Sequence, residues 1–199
     1  SIIFDAESRG LMKSQAFFEK VCEELVSIGD LTNNYTFAEY RKTGMEAYGY
    51  DYDEERGILS LLIHNFFQED TIKTLTKSMI ETKFNRLRTF YKKSISGLHK
   101  DLEETSEAYS MAYNIFNYNY RNKINKLKLF ILTDGKITSR FKNIISENLD
   151  QIKIEYRIVD IDYIYKVYLS QYDSGEFKIN INLPCLEVST KSEQYKAYL

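Results

Sequence analysis

Cysteine is scarce in this chain, histidine scarcer in use, and long apolar runs are absent. The two cysteines, Cys22 and Cys185, lie far apart and form no CxxC pair. That excludes a disulfide framework and thiol-rich metal knuckles, and makes a reducing cytoplasm the expected home. Nothing in the pattern places either histidine, His64 or His99, beside a serine or cysteine nucleophile. No stretch reaches the ~18 consecutive apolar residues of a membrane helix. The opening "SIIFDAESRG" lacks the basic start and apolar core of a secretory signal, so no membrane partner is expected. The glycine patterns of P-loops, dinucleotide folds and nucleophile elbows are missing, as is HExxH, so those enzyme classes have no support. With one proline and no tryptophan the composition is unusual, but no mechanism follows from it.

The 199 residues are 43% hydrophobic and 28% charged, enough for one sizeable core. A net charge of −2 rules out a uniformly basic coat and leaves room for a local basic patch. Periodicity predicts a helix over 14–28, where Phe17, Phe18, Val21, Leu25 and Ile28 make one stripe and Gly29 is a stop. Residues 30–42 are polar and read as loop. Residues 44–52 and 57–67 read as a hairpin. A long helix is expected from a cap at Asp70 to about Ser96, and another over 106–120. "KLKLFILTDG" reads as a strand closed by an Asp-Gly turn, 136–147 as a helix, "IKIEYRIVD" as a strand, "DIDYIYKVYLSQ" as a helix capped by Asp160, and "EFKININL" as a last strand. Strands alternating with helices predict an α/β fold, a mixed central sheet flanked by helices.

Chemistry is sought first in "MEAYGYDYDEERGILSLLIHNFF", residues 45–67. Metal nucleases need carboxylates converging from neighbouring strands, where the ion polarises phosphate and activates water. A turn centred near Asp53–Glu55 puts Glu46, Tyr48 and Asn65 on one face and Asp51, Ser60 and His64 on the other. The metal-ligand candidates are Asp51 and Glu46, with Glu24 or Glu23 of the first helix as a further acid. No lysine follows an acid by two residues on the second strand. The first reading of "DYDEER" is a solvated turn, and a lone histidine near a core strand reads first as structural. Asp134–Gly135 at a strand end resembles ligand-binding turns of α/β sheets, but alone it is only a turn signal.

Several stretches in order carry a resemblance: "GYDYDEERGILSLLIHNFF", "DTIKTLTKSMIETKFNRLRTFYKKSI", "LEETSEAYSMAYNIF", "KLKLFILTDGKITSRFK", "IEYRIVDIDYIYKVY" and "LPCLEVSTKSEQYKAYL". Together they resemble the N-terminal region of abortive-infection phage-resistance (AIPR) proteins over nearly the whole chain from Gly10. The resemblance implies a cytoplasmic bacterial defence protein whose N-terminal module is restriction-endonuclease-like. It implies a nuclease-like α/β domain over 10–184, with 185–199 leading into a larger C-terminal domain. It also implies an acidic pair at two positions that here hold Tyr48 and Asn65. Both carboxylates are replaced, so Mg²⁺ is an expected cofactor only if Glu46, Asp51 and Glu24 still form an active site.

Binding surfaces complete the expectations. Between Thr71 and Lys93 stand Lys73, Lys77, Lys83, Arg86, Arg88, Lys92 and Lys93 against the single acid Glu81. On one helix Lys73, Lys77 and Lys83 share a face, as do Arg86 and Lys93, and such a stripe can follow a phosphate backbone. A second basic group is Arg121, Lys123, Lys126 and Lys128, followed by Lys136, Arg140 and Lys142. Tyr109, Tyr113, Phe116 and Tyr120 have helical spacing and are expected in the core. The expected partners are DNA or RNA and the C-terminal domain of the same protein, with oligomer formation open. The alternatives are an active metal nuclease and a protein–protein module.

Overall fold

The computed structural model describes residues 13–138, 146–149, 152–172, 185–189 and 194–198. The chain divides into two compact units, Ser1–Tyr168 and Leu169–Leu199. Within the second, β9 (Cys185–Ser189) and β10 (Gln194–Tyr198) pair antiparallel. The predicted strand at 176–183 lies outside the described residues.

The first unit is built on a six-stranded mixed sheet in the order β1-β2-β3-β5-β8-β7. Its strands are β1 (Thr36–Lys42), β2 (Met45–Asp53), β3 (Ile58–Asn65), β5 (Lys126–Thr133), β7 (Glu147–Leu149) and β8 (Ile152–Val159). The β1-β2-β3 meander is antiparallel, whereas β3, β5 and β8 run parallel. Parallel neighbours need long crossovers. One is supplied by α2 (Lys77–Ile95) and α3 (Glu107–Tyr120). Two short strands, β4 (Thr74–Leu75) and β6 (Lys136–Ile137), pair outside the main sheet.

Side-chain alternation sorts the sheet into two cores. Leu59, Leu61 and Ile63 of β3 and Leu127, Leu129 and Ile131 of β5 face α2 and α3. There they meet Ile80, Phe84, Leu87, Phe90 and Tyr91, then Met111, Ala112 and Ile115. Leu62, Phe130, Leu132 and Val159 point the other way. They meet Phe17, Phe18, Val21, Cys22 and Leu25 of α1 (Lys13–Ser27) and Tyr163 and Ile164 of α4 (Ile161–Tyr172). The predicted mixed α/β sheet with its early hairpin and flanking helices is therefore present.

Local signals explain most boundaries. Gly29 (φ +76°) ends α1: its N–H reaches the Val26 carbonyl at 3.0 Å, and Asp30 N–H reaches that of Leu25 at 2.9 Å. Ser106 caps α3 by accepting from Tyr109 N–H at 3.1 Å, and Asp160 caps α4 by accepting from Tyr163 N–H at 2.9 Å.

Five expectations need correction. Residues 36–42, expected as loop, form the edge strand β1, because Ala38 and Tyr40 are inward-facing anchors in a polar run. The long basic helix starts at Lys77, capped by Thr76, and not at Asp70. Buried Leu75 and its parallel pairing with Ile137 hold 74–75 extended. Residues 136–137 and 147 are strand rather than helix, while 139–145, with Arg140 and Lys142, lie outside the described residues. The hairpin register is two residues off the expected one, since Tyr50 and not Tyr48 faces Leu61. An even slip keeps the faces of the paired segment. The four α3 aromatics expected in the core lie outside it: Ala108, Met111, Ala112 and Ile115 are buried, Tyr109 and Phe116 are half-buried, and Tyr113 and Tyr120 are 42% and 78% exposed.

Candidate functional site

An acid in the apolar run "MEAYGY" must be buried or turned out, and Glu46 is buried, at 2% exposure. Its Oε1 accepts from Lys83 Nζ at 2.9 Å and its Oε2 from Arg86 Nη1 at 2.5 Å. Lys83 Nζ also donates to the His64 carbonyl at 3.1 Å. Burial alone would push the Glu46 carboxyl up, but hydrogen bonds and charge from Lys83 and Arg86 outweigh it and hold it below the ordinary range. A buried charge survives only when paired in this way. One acid between two cations leaves the group with a net positive charge at the end of the hairpin.

Tyr48 and His64 complete the cluster. Strict alternation puts them on opposite faces, yet their rings lie 3.8 Å apart, beyond the paired stretch that runs from Gly49↔Leu62 to Asp53↔Ile58. Burial and the Glu46 charge push the Tyr48 hydroxyl up to about 12. Burial, aided by Lys83, pushes His64 down to about 4. Its Nε2 is buried without a hydrogen-bond partner. His64 is thus a neutral imidazole beside a cationic pair.

The proposed catalytic and metal-ligating residues are not brought together. Glu46 faces α2, whereas Asp51 faces α1 and accepts from Thr32 N–H at 2.9 Å and Thr32 Oγ1 at 2.5 Å. Its charge is among those acting on the Cys22 thiol of α1. Glu24 lies on α1, 3.8 Å from Lys20 Nζ. Among the described residues no group of three or more His, Cys, Asp or Glu could hold a metal ion. Asp134 is also committed, accepting from Phe67 N–H at 2.8 Å and Gln68 N–H at 3.0 Å.

The basic residues fall into two classes. Lys83 and Arg86 are organised by Glu46. Lys73 precedes β4, pairs with Glu69 at 2.8 Å and is not on the helix, so it does not share a helical face with Lys77 and Lys83. Lys77 opens α2, 66% exposed, in a 3.6 Å pair with Glu81. Thr82, Arg86, Thr89 and Lys93 recur at three- and four-residue spacing and so share one flank of α2. Sequence reasoning named Lys83 and Arg86 but missed that Glu46 is their organiser. The available signal was a carboxylate inside an apolar strand opposite a cationic helix.

A family model described as the abortive infection phage resistance protein N-terminal domain matches residues 17–166. The chain belongs to that family. It is accordingly a module of a phage-defence protein, and the family resemblance read from its motifs holds over residues 17–166. No curated protein and no solved structure matches it. At the two family positions expected to be acidic, Tyr48 packs on His64, and the Asn65 carbonyl accepts from Thr133 Oγ1 at 2.8 Å. Among the described residues no helix is long and apolar enough to cross a membrane.

Proposed function

We propose that this phage-defence module binds nucleic acid through α2, on a restriction-endonuclease-like frame whose metal site is degenerate. The observation that carries the reading is the saturation of Glu46 by Lys83 and Arg86, with Asp51 on the opposite face of the sheet. The hairpin acid acts as a counterion that fixes two cations, where a nuclease would use it as a ligand. The succession of one helix, three antiparallel strands, helices and a parallel strand supports the nuclease-like frame. Arg86 and Lys93 on one flank of α2, with Lys77 at its start, offer charges that displace counterions from a phosphate backbone. Cleavage is not part of the reading, and Mg²⁺ is not required. The working compartment is the bacterial cytoplasm.

The test is anisotropy titration of single-stranded and duplex DNA and RNA against Lys77→Glu/Arg86→Gln/Lys93→Glu. Affinity should fall at least about tenfold, and the slope of log K against log salt should flatten by about two to three. Unchanged affinity in a folded triple variant would overturn the reading. A second reading, docking onto the C-terminal part of the same protein or a second copy, draws on the exposed rings of α3. Tyr109 stacks on Tyr113 and Phe116 on Tyr120, at 5.8 and 6.3 Å, around the buried His99. Sedimentation of the chain and of Tyr113→Ser/Tyr120→Ser separates the two.

A further inference from the structure

At the start of β5 and β8, on the sheet face covered by α2 and α3, lies a half-open groove of about 630 Å³. Its walls are Ile95, Leu149 and Ile152, over Tyr91 and Ile124. Its rim carries three carboxamides, Asn119, Asn122 and Asn125. We infer that this groove binds a nucleotide, seating a nucleobase between the aliphatic walls with its edge on the Asn119 and Asn122 amides and its phosphate toward Arg121.

Four observations carry this. The volume lies within the ~300–1,000 Å³ of small-ligand clefts, and the lining joins five apolar or aromatic side chains to three carboxamides. Neither the Asn119 nor the Asn122 side chain is held by another described residue. Asn125 makes one long contact, Nδ2 to the Arg56 carbonyl at 3.4 Å, which leaves its Oδ1 available. A carboxamide presents a donor and an acceptor side by side, the pattern that pairs with a base edge. The amides are set by backbone geometry: Asn122 adopts φ +52°, and its N–H reaches the Asn119 carbonyl at 2.9 Å, closing the end of α3.

Charge favours the same ligand. Cations alternate with the rim in "RNKINK", residues 121–126: Arg121, Lys123 and Lys126 flank Asn122 and Asn125. Among the described residues the Lys123 ammonium pairs with Glu54, itself 74% exposed, a solvated pair that a phosphate can displace. This site is at the end of the parallel strands opposite His64, and it stands without the reading of α2.

The ligand is either a free mononucleotide or one unstacked base of a strand, and one experiment separates them. Adenosine and guanosine 5′-monophosphate, ribose 5-phosphate, and a short single-stranded oligonucleotide are titrated calorimetrically into the chain and into Asn119→Ala/Asn122→Asp. Aspartate tolerates the left-handed backbone at 122 and repels phosphate, and circular dichroism checks that α3 is kept. A mononucleotide that binds while ribose 5-phosphate does not, and weakens about tenfold in the variant, supports a free nucleotide. Binding of the oligonucleotide alone, weakened alike, supports a strand. If neither ligand is affected by the variant, the groove is not a nucleotide site. The α2 triple variant should leave mononucleotide binding unchanged, so failure of one reading is distinguishable from failure of the other.

Discussion

Glu46→Gln isolates the role of the buried acid. The substitution keeps the volume and one carbonyl acceptor but removes the charge that both Lys83 and Arg86 face. Lys83 has a side chain only 15% exposed and cannot turn fully into water, whereas Arg86, at 35%, can. Removing one member of a buried pair costs about 3–5 kcal/mol, because the remaining charge stays uncompensated. With Arg86 able to escape, the lower end applies, about 3 kcal/mol. Urea unfolding should show a lower midpoint with an unchanged slope, since the surface exposed on unfolding is the same. Glu46→Leu/Lys83→Met removes both partners and should recover stability to within about 1 kcal/mol of wild type. A carboxylate kept for metal binding behaves oppositely, as its neutralisation leaves stability unchanged or raises it. A Glu46→Gln protein within about 0.5 kcal/mol of wild type would refute the counterion role.

His64 should make the fold acid-sensitive. Its folded-state pKa of about 4 lies below the ordinary 6.5, so the unfolded chain binds the extra proton. Its contribution is complete above about pH 6.5 and lost as pH falls toward 4, on the order of 3 kcal/mol. The depressed Glu46 carboxyl has the same sign, and its contribution is lost lower still, as pH falls through its folded value. His64→Phe should remove most of the loss between pH 6.5 and 4 in chemical unfolding curves, and an unchanged pH profile would contradict the buried neutral imidazole. Gly49→Ala should destabilise by about 2 kcal/mol or more, because a Cβ there meets the Thr36 carbonyl at 2.6 Å and the Phe18 ring. A thermal melt within about 2 °C of wild type would show that α1 and β1 can yield.

The fold was legible where burial and periodicity coincide. β3 and β5 are mostly apolar and buried along nearly their whole length, and Ser106, Asp160 and Gly29 are punctuation that local chemistry explains. β1 was not legible, because an edge strand with Ala38 and Tyr40 as its inward anchors reads as a polar loop. The start of α2 was misplaced since Asp70 and Thr76 are both acceptable caps, and only the tertiary pairing of Leu75 with Ile137 decides between them. The candidate site was half legible. Face assignment from parity put Glu46 and Asp51 apart, as found, but parity could not bring His64 to Tyr48 where pairing ends. Lys83 and Arg86 were visible as cations, and their partner was not, because it lies 37 and 40 residues away. The carboxamide groove had no sequence signal beyond asparagines between basic residues.

Calorimetric titration of Mn²⁺ into the wild-type chain, alongside Glu46→Gln and Asp51→Asn, tests most directly whether the hairpin acids are already spoken for by protein groups. Glu46 held by Lys83 and Arg86, and Asp51 held by Thr32 on the far face, predict no stoichiometric site in any of the three proteins. A one-to-one site in the wild type that disappears in either variant would contradict this and restore the hairpin as a metal centre.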